Sequence, residues 1–227
     1  MAPDPAARFR NRRPRGTIFV AGTRDAPRAS TRSLPHCYSE AMLEPERREI
    51  LAHLEEGWKA LALALDGVDE AEAAWKPGTR QWSILECVEH LVLSEDFLFS
   101  RLEVARPAAG VVLDRAREAA ILSRGLDRST PMESPEVGRP HRRFQALPEA
   151  VAGFSEVRAR TVDWVNRLDR DPRSWLTDHP IIRGPVNCYE ILLTISMHPR
   201  RHSEQINLIR SSFARSRQLQ PAGKSPV

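Results

Sequence analysis

The residues of this chain best suited to chemistry are three histidines, His198, His202 and His90. His198 and His202 stand four apart in His198-Pro199-Arg200-Arg201-His202, within a stretch of helical periodicity. On a helical wheel at about 100° per residue, Ile191, Ile195, Ile206 and Ile209 fall on one side. The two imidazoles fall in the middle of that stripe, with Gln205 beside them. An imidazole buried without partners costs roughly 1–3 kcal/mol, so a pair in mid-stripe calls for an explanation. Residues four apart on a helix project side by side, and two imidazoles so placed form a bidentate clamp for a divalent metal. A packed core pair is the competing reading. His90 lies on the flank of another apolar arc, set by Ile84, Leu85, Val88, Leu91, Val92, Leu98 and Leu102. Taken alone it reads as a boundary histidine, and it joins the clamp only if the two helices are neighbours. His53 and His141 read as surface or loop residues, and His179, before Pro180, as structural.

The elements that must position these residues are helical. A first helix is expected from about Pro45 to Leu65, with Ile50, Leu51, Leu54, Trp58, Leu61 and Leu65 on its buried stripe. A loop over 75–82 leads to Ser83-Ile84-Leu85-Glu86, a capping box that opens a second helix running to about Val104, before Pro107. Residues 107–146 form a long crossover in which Leu113 to Leu122 adds a short helix, and Pro131, Pro135, Gly138 and Pro140 keep the remainder irregular. The third helix covers about Pro148 to Arg167. The fourth runs from Asn187, capped with Glu190 three residues on, to about Ser212. With no convincing strand and no internal repeat, the pattern is all-α: a four-helix bundle with a long crossover between helices 2 and 3. Residues 1–41, rich in Pro, Arg and Ala without periodicity, are expected to be a disordered extension. The domain is expected over 42–214, and 215–227 as a disordered tail.

Composition narrows the function classes. The net charge is +4, but eight arginines against three acids fall within residues 1–41, so the rest of the chain lacks the basic excess of a nucleic-acid binder. No apolar run approaches the roughly 20 residues of a membrane span. The three cysteines, Cys37, Cys87 and Cys188, are scattered and odd in number, which points to a reducing cytoplasm rather than a disulfide framework.

Three segments carry a resemblance. Pro77-Gly78-Thr79-Arg80-Gln81-Trp82-Ser83-Ile84-Leu85-Glu86-Cys87-Val88-Glu89-His90-Leu91, the run from His179 to Glu190, and His198-Pro199-Arg200-Arg201-His202-Ser203-Glu204-Gln205-Ile206 together resemble the signature of the DinB-like superfamily. The match covers about residues 45–212. It implies a bundle of up-down-down-up connectivity and a divalent metal held by His90, His198 and His202. Relatives in that family include thiol-dependent S-transferases, an isomerase using a low-molecular-weight thiol, and the metal-binding domain of ergothioneine-type synthases; many members are dimers. The expected function is therefore a divalent-metal-dependent transferase or hydrolase of a small molecule, with a homodimer as the expected assembly. The alternative is a non-catalytic metal- or small-molecule-binding domain related to stress.

Three imidazoles leave coordination positions open, and nitrogen ligation suits Zn, Ni, Fe or Mn. Such an ion lowers the pKa of a thiol or water. No general base stands out: Glu86, Glu95 and Glu204 are candidates by proximity alone, and Cys87 reads as a packed thiol before it reads as a fourth ligand. Pro199 departs from the family pattern. It removes the backbone donor to Ile195, so distortion is expected in the turn before it.

Overall fold

A computed structural model describes residues 42, 44–109, 113–129, 133–179, 181–182 and 184–219. The expected disordered extension over residues 1–41 lies outside the described residues, as do residues 220–227. Six helices run in the order α1 (Glu44–Leu65), α2 (Glu70–Ala74), α3 (Ile84–Val104), α4 (Arg115–Leu126), α5 (Leu147–Arg167) and α6 (Cys188–Leu219). The four long helices, α1, α3, α5 and α6, close a bundle: α6 packs on α1 and α3, and α5 packs on α3 and α1. Helix α4, from the crossover, lies along α6. No described helix is long and apolar enough to cross a membrane.

Local chemistry sets the boundaries. Ser83 caps α3 by accepting from the Glu86 amide at 3.1 Å, while Glu86 accepts from the Ser83 amide at 2.9 Å. The same reciprocal pair opens α6: Asn187 accepts from the Glu190 amide at 2.9 Å and Glu190 from the Asn187 amide at 3.0 Å. Helix α6 then continues to Leu219, past the expected end at Ser212 and into the expected tail. The crossover helix is capped by Asp114, whose carboxylate accepts from the Arg117 amide at 2.9 Å, and ends four residues later than expected, at Leu126 instead of Leu122.

The expectation of no strand is corrected. Short segments β1 (Arg106–Pro107), β2 (Trp175–Asp178) and β3 (Pro185–Asn187) make an antiparallel sheet with β2 in the middle, Arg106 opposite Leu176 and Thr177 opposite Val186. These strands have too few residues for an alternating pattern, and their pairing joins segments far apart in the chain. The sheet ties the end of α3 to the entry of α6.

The apolar interior forms two clusters. One holds Ile50, Leu54, Leu98, Leu102, Val165, Tyr189 and Ile195; the other holds Leu61, Ile84, Val88, Leu91, Phe154, Ile206 and Ile209. Between them along α3, α5 and α6 lies a polar layer. In α3 and α5 it contains Glu95, Arg158 and Thr161, all buried. Arg158 meets Glu95 through Nε at 3.0 Å and Nη2 at 2.7 Å, and Thr161 donates to Glu95 at 2.8 Å. In α6 the layer contains His198 and His202, on either side of Pro199.

Pro199 does not break α6. Its missing N–H leaves the Ile195 carbonyl without a helical donor, and Arg158 Nη2 donates to that oxygen at 3.4 Å. Arg158 Nη1 also donates to the Leu54 carbonyl in α1 at 2.7 Å. The backbone of α1 approaches this turn closely. A Cβ at Gly57 would lie 2.6 Å from the Ser196 carbonyl oxygen, so only glycine fits there.

Candidate functional site

The polar layer opens on one side into a cleft of about 1290 Å³, and His90, His198 and His202 line it together. Helix α3 supplies His90 and α6 supplies the other two, so the neighbour relation that His90 required is met. His90 and His202 are buried, at 5% and 6% exposure, and His198 is half-buried. The Nε2 atoms of His90 and His202 each lie 3.1 Å from His198 Nε2. The three candidate ligand atoms all fall within 4.8 Å of one another.

The outer nitrogens fix the tautomers. His90 Nδ1–H donates to the Gly138 carbonyl at 2.6 Å, with Ser94 Oγ 3.3 Å away. Gly138 sits in a short 3-10 turn, Glu136–Gly138, and a Cβ there would lie 2.9 Å from Ser94 Oγ and 3.3 Å from His90 Cε1. The strap after this turn is fastened by buried Glu89, which accepts from the backbone amides of His141 at 2.7 Å and Arg143 at 3.1 Å. His202 Nδ1 lies 3.1 Å from Gln205 Oε1. Arg128 donates to that same oxygen at 3.3 Å, which marks it as the acceptor end of the amide, so Nδ1 carries the proton. His90 and His202 therefore present bare Nε2 lone pairs to His198. A proton on His198 Nε2 can bridge only one of them, and two acceptors are left facing each other. A divalent cation satisfies all three. Imidazoles about 2.0–2.1 Å from a tetrahedral zinc ion set their nitrogens about 3.3 Å apart, close to the 3.1 Å of the two pairs that His198 makes. Trp82 walls the group, with its ring 4.7 Å from that of His90 and 6.2 Å from that of His202.

Electrostatics keep the imidazoles neutral, as ligands must be. Burial lowers His90 to about 4, against a smaller upward pull from its bond to Gly138. Burial holds His198 and His202 well below the ordinary value, helped by the neighbouring imidazoles and by Arg201. In the metal-free protein this makes stability pH-dependent. The unfolded His90 takes up a proton below its ordinary 6.5, whereas the folded one resists until about 4. Between those values the unfolded state binds more protons, so stability is full above pH 6.5 and falls as pH drops towards 4, by on the order of 3 kcal/mol from His90 alone. Urea titrations of chelated protein at pH 7.5, 6 and 5 are expected to show a falling midpoint, with a shallower fall in His90→Gln.

Other sequence readings resolve differently. Cys87 is fully buried in the second core cluster, its thiol pushed well above the ordinary range by burial, and it is not among the grouped ligand atoms. None of the three candidate bases lines the cleft. Glu86 serves the cap and pairs with Lys76 at 2.6 Å, Glu95 is held by Arg158, and Glu204 is exposed. His179, read as structural, does line the cleft. Its Nδ1 accepts from the Ile181 amide at 3.1 Å and the Ile182 amide at 3.0 Å, so its Nε2 carries the proton as a neutral donor. Gly138, Arg128 and His179 were not identifiable in the sequence as site residues, because loop and helix-end contacts leave no periodic signal.

The family described as the DinB superfamily matches residues 53–206. Among solved structures, the four-helix bundle protein TT2238 is 21% identical with a TM-score of 0.46, over 71% of this chain and 98% of its own. YfiT from Bacillus subtilis, described as a probable metal-dependent hydrolase with an unusual four-helix bundle topology, is 15% identical with a TM-score of 0.48, over 78% of this chain and 93% of its own. No curated protein matches the chain.

Proposed function

The chain belongs to the DinB superfamily, and on that premise we propose that it is a divalent-metal-dependent enzyme acting on a small molecule, with His90, His198 and His202 as the ligands and a thiol as the nucleophile. The observation that carries this reading is the convergence of three neutral imidazoles, two with outer protons tied down, on the wall of an open cleft. When bound there, the ion would lower the pKa of a thiol or water in the cleft. The chain's own residues do the rest. Gly138 and Gln205 orient the ligand lone pairs, and Trp82 shields them. His179 Nε2–H is placed to donate a hydrogen bond to an acceptor in the cleft.

A thiol is favoured over water by the lining. Glu133, which is exposed, is the one carboxylate among the described lining residues, and none of the buried acids reaches the cleft to act as a base for water. A thiol with an ordinary pKa near 8.5 needs a smaller shift to ionise at neutral pH than water does. The buried thiols Cys87 and Cys188 suit a reducing cytoplasm. The test is thiol consumption by the metal-loaded chain with a haloarene acceptor, run beside ester hydrolysis. Metal-dependent thiol consumption lost in His202→Ala is the expected result. Ester hydrolysis without thiol consumption overturns the transferase reading, and neither activity at full metal occupancy returns the protein to the class of binding domains.

A further inference from the structure

The charge of the cleft points to what enters it. Its described lining holds Arg80, Arg117, Arg124, Arg128, Arg139 and Arg201 against the single carboxylate of Glu133. Two of these arginines are committed to acids: Arg117 pairs with Glu190 at 2.8 Å, and Arg139 lies 4.0 Å from Glu136. Arg128 is different. Its contacts are neutral oxygens, the Arg201 carbonyl at 3.2 Å and Gln205 Oε1 at 3.3 Å. Both use Nη1, which leaves the Nε–Nη2 edge of the fork, the edge suited to side-on contact with a carboxylate or phosphate, uncommitted among the described residues. Arg128 is one side chain removed from a histidine of the cluster, through Gln205 to His202. Arg201, which donates to the Asp127 carbonyl, lines the same wall. Two guanidiniums beside three neutral imidazoles give this part of the lining a positive charge that a divalent ion would raise further. The same lining also holds the apolar side chains of Phe97, Leu98, Ile121 and Ile182. Clustered positive charge and apolar side chains in one cleft describe a pocket for a small amphipathic anion.

We propose that the cleft takes a small molecule bearing a terminal oxyanion, carboxylate or phosphate, and that Arg128 holds that acidic end while the remainder of the ligand reaches the three histidines. The inference rests on the metal-centre reading for the ligand's other end, but the acid-binding half can be tested without it. The full chain, zinc-loaded and chelated, is heated with succinate or glycerol phosphate, and with the neutral succinamide or glycerol. The expected result is a rise in melting temperature with one or both acids in both forms and none with the neutral compounds. Which acid acts names the group recognised. In Arg128→Gln, apparent affinity for the acid is expected to fall about tenfold or more, with zinc affinity kept within a few-fold.

Equal shifts from succinate and succinamide overturn the proposal, even if Arg128→Gln fails to fold. An Arg128→Gln variant that loses zinc but keeps its preference for the acid shows that Arg128 only braces Gln205, and overturns it too. If zinc does not bind, the metal reading fails, and the chelated titration still decides this one.

Discussion

Replacing His202 by alanine is expected to cost the protein its divalent ion. The substitution removes one of three ligands and releases Gln205 from its role. Loss of an outer partner alone weakens metal sites by roughly 10–100-fold, so loss of the ligand itself is expected to exceed about 100-fold. The readout is stability as well as metal content. An ion present at about 1,000 times its Kd stabilises the folded state by about 4 kcal/mol. Wild-type melting temperature should therefore rise steeply with added zinc and that of His202→Ala should barely move. Without metal the two should melt within a few degrees of each other, because the variant relieves a desolvated imidazole as it opens a small void. Equal zinc responses would remove His202 from the site.

Replacing Glu95 by alanine is expected to give the largest loss of stability unrelated to metal. It strands the Arg158 guanidinium in the interior, where three contacts of 3.0, 3.2 and 2.7 Å now neutralise it. Removing one partner of such a pair costs about 3–5 kcal/mol, a large part of a typical domain's total of roughly 5–15 kcal/mol. Removing both partners in a Glu95→Met, Arg158→Met pair takes away the stranded charge but orphans the Ile195 carbonyl that Pro199 leaves open. Recovery is therefore expected to be partial. It should become more complete when Pro199→Ala restores the helical donor. Denaturant midpoints of the single, double and triple variants check this, and full recovery in the double variant would show that the Arg158 bond to Ile195 carries no weight.

The same network shows why some contacts leave no trace in the sequence. Helix boundaries at Ser83 and Asn187 were legible because caps are local. The mid-stripe placement of His198 and His202 was legible because periodicity is local. His90 was not legible from its own helix, since its partner atoms come from α6 and from the Gly138 turn. Pro199 pointed to distortion in the turn before it because its compensation lies elsewhere: Arg158 from α5 supplies the missing donor, and Gly57 lets α1 close on the turn. The strands were missed for a similar reason, since segments of two to four residues gain their identity from partners distant in the chain. Arg128 gave no signal at all. It lies just beyond α4, and its importance comes from the absence of a carboxylate partner among the described residues, a property visible only once the cleft is assembled.

X-ray absorption at the zinc edge probes the metal centre itself, on the 227-residue chain purified without a histidine tag and loaded with zinc. The expected result is one ion per chain with three imidazole nitrogens at about 2.0–2.1 Å and an oxygen in the remaining position. Substoichiometric zinc, a sulfur neighbour, or a shell with fewer than three imidazoles would contradict it.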